Sequence, residues 1–490
     1  MSEGTIKIAG KRCFEIKQRI LFSQKVGTRK LTTENYHIET WLFFPSSLQI
    51  NRWTFPPQTF QQNLKNYIRL CPPTVSLRKL ALSLTETLET IEKLSHEHCK
   101  DSSFEKLEYR IKMFCLTFKR ALRVDSRYIN KLNGEKQKQA LHYFTETVED
   151  ILVRYRLMKK KISKITGDNA GDNYLKIVVY GDEYLSLMLT HYGRKLLNNL
   201  SPSDEYDTLR EFWNKQMQYR KIHHSETLAI PGSDNELVIY HLNTLKKYIS
   251  SPLYLDVRRK KGDPFLAHAI AGVAAAIAMI FATAVAFFWQ EKYGALSFQL
   301  FLAMVIGYIF KDRMKEGFRA RLFSTFRRWL PDREQIIYKS SHQPIGHCHE
   351  SFVFVEEMQL PDDVMEMRCK AHTLDIHKYY LSEDILHYSK HVQMCCDHQM
   401  FNTVNRSIMD ITRLDITPFL KYTDELLNEL PTLDDDLVMY GEKVYHINLI
   451  RRVTDGKESI LERARIIINS TGIKRIEPVT TVDILDIKDT

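Results

Sequence analysis

One stretch limits what this chain can fold into more than any other. From Phe265 to Trp289 there are 25 consecutive residues with a single ionisable side chain, His268, near the start. As a helix this run is ~37 Å long, enough to cross a hydrocarbon core of about 30 Å. Gln290–Gly294 interrupts it with Glu291, Lys292 and a glycine, and Ala295–Phe310 then gives a second apolar run of 16 residues. That run is short, ~24 Å as a helix. Tyr293 and Lys311 extend it by anchoring and snorkelling at the interfaces. So short a connection forces the two helices antiparallel. The reading is a transmembrane helical hairpin over 264–310.

Flanking charge sets the expected orientation. Arg258, Arg259, Lys260 and Lys261 precede the first run, and Lys311, Arg313, Lys315, Arg319, Arg321, Arg327 and Arg328 follow the second, whereas the connection holds only Lys292. The positive-inside rule places these basic residues against anionic lipid head groups on the cytoplasmic face. Both termini are then cytoplasmic, in a multi-pass protein of the inner membrane with two spans. Ala267, Ala271, Ala275, Ala278, Ala282 and Ala286 recur at helical spacing in the first run. Small residues allow close helix approach in lipid, and this face is expected to pack on the second span rather than on another subunit. Met314, Phe318, Leu322 and Phe326 step by four through the following segment. They suggest a basic amphipathic helix over 311–333, on the inner leaflet or continuing the second span.

A resemblance enters at these residues. Phe281–Phe288 through Ile309–Glu316 resembles an uncharacterised family of bacterial two-span membrane proteins, as do Asn51-Arg52 with Tyr67–Leu70, and Gly472–Glu477. The resemblance covers scattered short stretches of the chain. It implies a bacterial membrane protein, with no known activity and no functional residues to carry over.

The remainder of the 490 residues reads as folded protein with ordinary apolar and charged content. The mean hydropathy of -0.32 excludes a carrier that lies mostly in lipid. Eight cysteines are too few for a secreted disulfide scaffold, and the first twenty residues show no continuous apolar core of signal-peptide length. The cysteines are therefore expected to be reduced. The net charge of +10 admits nucleic acid, but Lys159, Lys160 and Lys161 read as a helix end, which argues against nucleic acid as a partner.

The fold class expected is α+β. Residues 1–73 carry two strands, around Phe14–Phe22 and Tyr36–Phe44, and a short helix near Gln58–Leu70. Residues 74–263 carry apolar stripes at three- and four-residue steps, among them Leu77, Leu80, Leu84 and Leu88, then Leu107, Ile111, Phe114 and Phe118. These predict a coiled-coil-like helical bundle. Residues 334–490 turn β-rich, ending in a meander of alternating residues through Tyr445–Val453 and Ala464–Ile468 about the Asp455-Gly456 turn. A helix is expected over Asp384–Cys396. The two N-terminal strands are candidates to join the C-terminal sheet.

No phosphate-binding glycine loop, dinucleotide fingerprint or hydrolase elbow is present. The one chemical candidate is a histidine- and cysteine-rich segment, 342–398, in which His387, His391 and Cys395 fall at i, i+4 and i+8. On a helix they share one side, and imidazole with thiolate suits zinc. The favoured reading is a membrane-anchored cytoplasmic scaffold or signalling protein, acting with a protein partner or as a homo-oligomer. The alternatives are a membrane-tethered enzyme, metal-dependent through 342–398, and a channel or transporter subunit.

Overall fold

The computed structural model describes residues 4–21, 32–96, 101–166, 173–200, 204–261, 264–294, 298–326, 332–339, 344–369, 383–396, 407–431, 438–456 and 458–482. The architecture is α+β and divides into two compact units. One comprises residues 69–254 with 401–408, and the other the remainder.

The first unit is the helical bundle that the stripes predict. It contains α2 (Leu77–His96), α3 (Asp101–Ile129), α4 (Glu135–Thr166), α5 (Asn173–Leu197), α6 (Asp204–His223) and α7 (Glu236–Ser250). The stripe residues meet in one core, where Leu84, Leu107, Ile111, Phe118, Val148, Ile151 and Tyr155 are each fully buried. Burial of such side chains is worth about 1.5–3 kcal/mol apiece before chain entropy is counted, so the stripes account for the bundle.

The second unit is built on strands. Its central feature is β3 (Thr32–Pro45), which lies between β8 (Glu383–Cys396) and β12 (Tyr445–Asp455). The full order is β14-β13-β12-β3-β8-β7-β6-β5, every pairing antiparallel. The remaining strands are β5 (Asp256–Lys261), β6 (Arg333–Tyr338), β7 (Pro344–Val355), β13 (Glu458–Asn469) and β14 (Gly472–Val482). An N-terminal strand thus does join the C-terminal sheet, and takes its middle. The run Trp41-Leu42-Phe43-Phe44 is buried at every position, as expected for a strand covered on both faces. Leu42 and Phe44 enter the core against a second, four-stranded sheet, while Trp41 and Phe43 pack under α10 (Asp362–Cys369). That second sheet has the order β1-β2-β9-β4, from β1 (Gly4–Ile8), β2 (Cys13–Leu21), β9 (Ser407–Asp415) and β4 (Leu64–Leu70).

Three local expectations are corrected. The segment 383–396 is a strand, not a helix: Leu386, Tyr388, Lys390, Val392 and Met394 alternate into the core. The short helix near Gln58–Leu70 is α1 (Pro57–Asn63) followed directly by β4. The bundle does not extend to 263, because Arg258, Arg259, Lys260 and Lys261 belong to β5, paired with β6.

Two long helices stand between β5 and β6. α8 (Pro264–Tyr293) and α9 (Phe298–Phe326) pack on each other. Ala274 and Ala278 are fully buried in α8, and the buried Gly307 of α9 lies against Val285. The small-residue face therefore packs in cis. Of the two readings of 311–333, continuation of the second helix is the one seen, since α9 runs unbroken through Lys311 to Phe326; Arg327 and Arg328 lie outside the described residues.

A close approach joins the two sheets at one corner. Gly472 has φ +140°, and the Ile473 amide next to it donates to the carbonyl of Lys11 at 2.6 Å. A Cβ at position 472 would stand 2.1 Å from that carbonyl oxygen. Gly472→Ala is expected to cost about 1–3 kcal/mol from backbone strain alone, read as a lower denaturation midpoint with an unchanged m-value. A midpoint equal to that of the parent would show that this corner yields freely.

Candidate functional site

Strand geometry decides the histidine cluster. On β8, His387, His391 and Cys395 do share a face, because a step of four is even, but at about 3.4 Å per residue each step carries the side chain ~14 Å along. Each stands opposite a different residue of β3: Trp41, His37 and Thr33. The His387 ring stacks on Trp41 at 4.9 Å and sets Nε2 3.4 Å from Glu39 Oε1. His391 meets His37 edge-on at 5.9 Å. Burial holds both His37 and His391 below the ordinary imidazole range; the Glu39 charge opposes this at His37, and a neighbouring imidazole adds to it at each, His391 beside His37 and His349 beside His391. Among the described residues no group of three His, Cys, Asp or Glu side chains is placed to hold a metal ion. The expectation of zinc on His387, His391 and Cys395 therefore fails on spacing. His342, His372, His377 and His398 lie outside the described residues.

The opposite face of β8 carries what the sequence reading missed. Lys390 is 1% exposed and its Nζ donates to Asp410 Oδ1 at 2.6 Å. The Tyr36 hydroxyl donates to Asp410 Oδ2 at 2.8 Å. Burial pulls the Lys390 ammonium down, but the Asp410 charge and hydrogen bond outweigh it, so the lysine stays charged. Beside this pair, the fully buried Glu350 accepts from Gln335 at 2.9 Å, from the Tyr388 hydroxyl at 3.0 Å and from Asn66, with Arg333 at 3.4 Å. Arg451, also 1% exposed, donates to Gln18 at 2.6 Å and to Glu462. A cavity with room for about one water lies among Gln18, Thr40, Asp410 and Arg451. That is too small for a substrate. Burial pushes the nearby Cys348 thiol far up, which leaves no thiolate nucleophile. Chemically, this interior is a set of compensated charges that fixes how the two sheets face each other.

The bundle holds a comparable cluster around Asp182 of α5, which is fully buried. Lys159 donates to it at 2.7 Å and Tyr219 at 2.7 Å, while Arg156 and His224 stand at 3.4 Å. The Arg156 guanidinium lies 3.5 Å over the Tyr219 ring and donates to Gln216 at 2.9 Å. The next residue, Glu183, contacts His241 at 2.6 Å. Lys159, read from sequence as a helix-end charge, instead serves α4–α5–α6 packing.

The hairpin presents an unusual surface. Only 17% of His268–Lys292 is buried, and among the described residues this is the one helix long and apolar enough to cross a membrane by length and composition. Met279, Ile280, Phe287 and Phe288 of α8 and Phe298, Phe301, Met304 and Phe310 of α9 are all exposed by half or more. In α9 the apolar character stops at Phe310; the Lys311 Nζ lies 4.0 Å over the Tyr308 ring, and Arg313, Lys315, Arg319 and Arg321 beyond it are exposed.

No protein-family model and no curated protein matches the chain. Among solved structures, a cryo-EM structure of a de novo designed 16-helix transmembrane nanopore is similar at 12% identity over 51% of this chain and 72% of that one, with a TM-score of 0.22. A score that low establishes no common fold.

Two outcomes follow from the buried charges. Lys390→Met or Asp410→Leu alone is expected to cost about 3–5 kcal/mol, and the pair together far less, because each single change leaves a buried charge without its partner. Additive losses in a denaturation double-mutant cycle would contradict this. For Asp182, burial alone would raise the carboxyl, but the contact with His224 and the charges and hydrogen bonds of Lys159 and Tyr219 outweigh it and hold it well below the usual carboxylate range. Its contribution is then complete above the ordinary value of about 4 and is lost as pH falls through the lower folded-state value. The midpoint difference between parent and Asp182→Asn should narrow as the solution is acidified below that value. A difference independent of pH would refute it.

Proposed function

We propose that this protein is a membrane-anchored scaffold, held in the bilayer by α8 and α9, with its two soluble units on the cytoplasmic side and partner proteins gathered there. The observation that carries the reading is the continuous exposed apolar surface of the hairpin. Water solvates such a surface poorly, and exposed apolar patches of this extent mark a membrane or a partner. Lipid is favoured because the basic residues cluster where the apolar character ends, at Lys311, Arg313 and Lys315 on one side and at Arg258 on the other.

The sheet supports two crossings rather than one. β5 leads into α8, and β6 follows α9; Lys261 and Arg333 are direct partners in the ladder between those strands. Neighbouring strands lie about 5 Å apart. A single crossing by α8 would leave these two residues on opposite sides of the bilayer. α9 must therefore carry the chain back, although its described apolar part, Phe298–Phe310, is only 13 residues long, ~20 Å as a helix. Local thinning and the snorkelling Lys311 make up the difference.

The interaction role rests on a second exposed apolar feature. β10 (Leu427–Leu430) and β11 (Met439–Glu442) form an isolated two-stranded ribbon on which Leu427, Leu430, Met439 and Tyr440 are exposed. A ribbon of that kind is marginal alone and is stabilised by a partner.

The test is fractionation of cells expressing the full chain. The protein is expected in the membrane pellet and to stay there through an alkaline carbonate wash. Ile280→Arg with Phe287→Arg places charges at the proposed span, at about 2.5–3.5 kcal/mol each near its centre, and should move the protein out of the washed membrane. Recovery of the parent chain in the soluble fraction without detergent would overturn the reading.

A further inference from the structure

The helical unit carries a cluster of cations that is paired with no carboxylate among the described residues. Lys119, Arg123 and Arg127 recur every fourth residue on α3, so one face carries all three. α5 packs on α3 and contributes His191 and Lys195, and α7, also packed on α3, contributes Lys246. Arg69 joins from the end of β4, where its backbone bridges Tyr254. The charges that act on Lys119 are those of Lys246, Arg69 and Arg123, all repulsive; those that act on His191 are Lys195 and Lys119. Among the described residues, no ion pair or side-chain hydrogen bond links Lys119, Arg123 or Lys246 to a carboxylate.

The cluster also has depth. Lys119 is half-buried, and its Nζ lies 5.9 Å from the centroid of the Tyr184 ring. Tyr184 is fully buried, and its hydroxyl has no hydrogen-bond partner among the described residues. An interior hydroxyl left unpaired is costly. Tyr192 and Tyr254 stand close enough to act on it electrostatically.

We propose that Lys119, Arg123, Arg69 and Lys246 form a binding site for a phosphate group, with the Tyr184 hydroxyl as a neutral donor beneath it. Folding has placed like charges together, and an anion relieves their mutual repulsion on binding. A phosphate carries up to two negative charges and three acceptor oxygens, so it can engage several cations at once, which a single carboxylate cannot. Cations brought together from three helices and the end of β4 favour a compact phosphate on a small molecule or a lipid head group. A nucleic-acid backbone needs a stripe of exposed cations instead. Burial and the neighbouring cations lower the Lys119 ammonium to about 8. Without ligand, Lys119 is then a more reactive amine than the exposed Lys247; a bound phosphate restores its charge and shields it.

The experiment uses the full-length protein in detergent, acylated briefly at neutral pH with an amine-reactive ester and read peptide by peptide by mass spectrometry. Lys119 is expected to label faster than Lys247, and inorganic pyrophosphate should slow Lys119 at least tenfold while leaving Lys247 unchanged. Calorimetry with pyrophosphate should show at least tenfold weaker binding for Lys119→Gln with Arg123→Gln, and retained binding for Lys119→Arg. Vesicles containing phosphatidylglycerol form the second arm. Protection by vesicles but not pyrophosphate assigns the phosphate to a lipid head group, and protection by pyrophosphate assigns it to a soluble ligand. Protection by neither, or equal protection by chloride at matched ionic strength, overturns the proposal. The labelling readout uses the parent protein and so does not depend on any variant folding.

Discussion

The ladder between β5 and β6 constrains the rest of this structure. It fixes the entry to α8 and the exit from α9 on adjacent strands, register by register from Asp256 with Tyr338 to Lys261 with Arg333. Whatever solvent the hairpin occupies, the chain must leave the sheet and return to the same edge. That geometry turns a pair of long helices into one element with a tip and a base. It also explains why the small residues face inwards. With the helix ends held side by side, Ala274, Ala278 and Gly307 let the two backbones approach, and the large apolar side chains have nowhere to go but outwards. On the proposed reading, lipid is what those side chains meet.

The sheet that holds the hairpin depends in turn on β3. A strand near the start of the chain pairs with strands that begin at residues 383 and 445. Its centre cannot form until most of the chain has been made, and such distant pairings favour slow folding. The interior it closes is not purely apolar. Lys390 with Asp410, Glu350 with its donors and Arg451 with Gln18 and Glu462 sit between the sheets. Well-packed apolar residues would give comparable or greater stability. What paired charges add is a high cost for any other register, since a slip of one residue would strand a charge in the core.

The elements legible in the sequence were those whose own period reported their burial. The stripes of α2 and α3, the alternation of β2 and β3, and the terminal meander all fall in this group. The Glu383–Cys396 strand did not, for a specific reason. His387, His391 and Cys395 are four apart, a step that keeps residues on one face in a helix and in a strand alike. The alternation that would have settled it, Leu386, Tyr388, Val392 and Met394, is broken by Lys390, which looks like a surface residue until Asp410 is brought beside it by a different strand. β5 was hidden in the same way: Asp256–Lys261 reads as charge at a membrane boundary, and only its partner β6 makes it a strand. The cation cluster of the helical unit was not legible either, because Arg69, Lys119, Lys195 and Lys246 come from four separate elements.

The central claim is that lipid surrounds the middle of α8. It is tested most directly by a nitroxide at position 280 in protein reconstituted into bilayers, with its collision rates measured against oxygen and against a water-soluble nickel chelate. The account predicts that oxygen, which concentrates in hydrocarbon, dominates by a wide margin. A nitroxide relaxed chiefly by the nickel chelate would place residue 280 in water and contradict it.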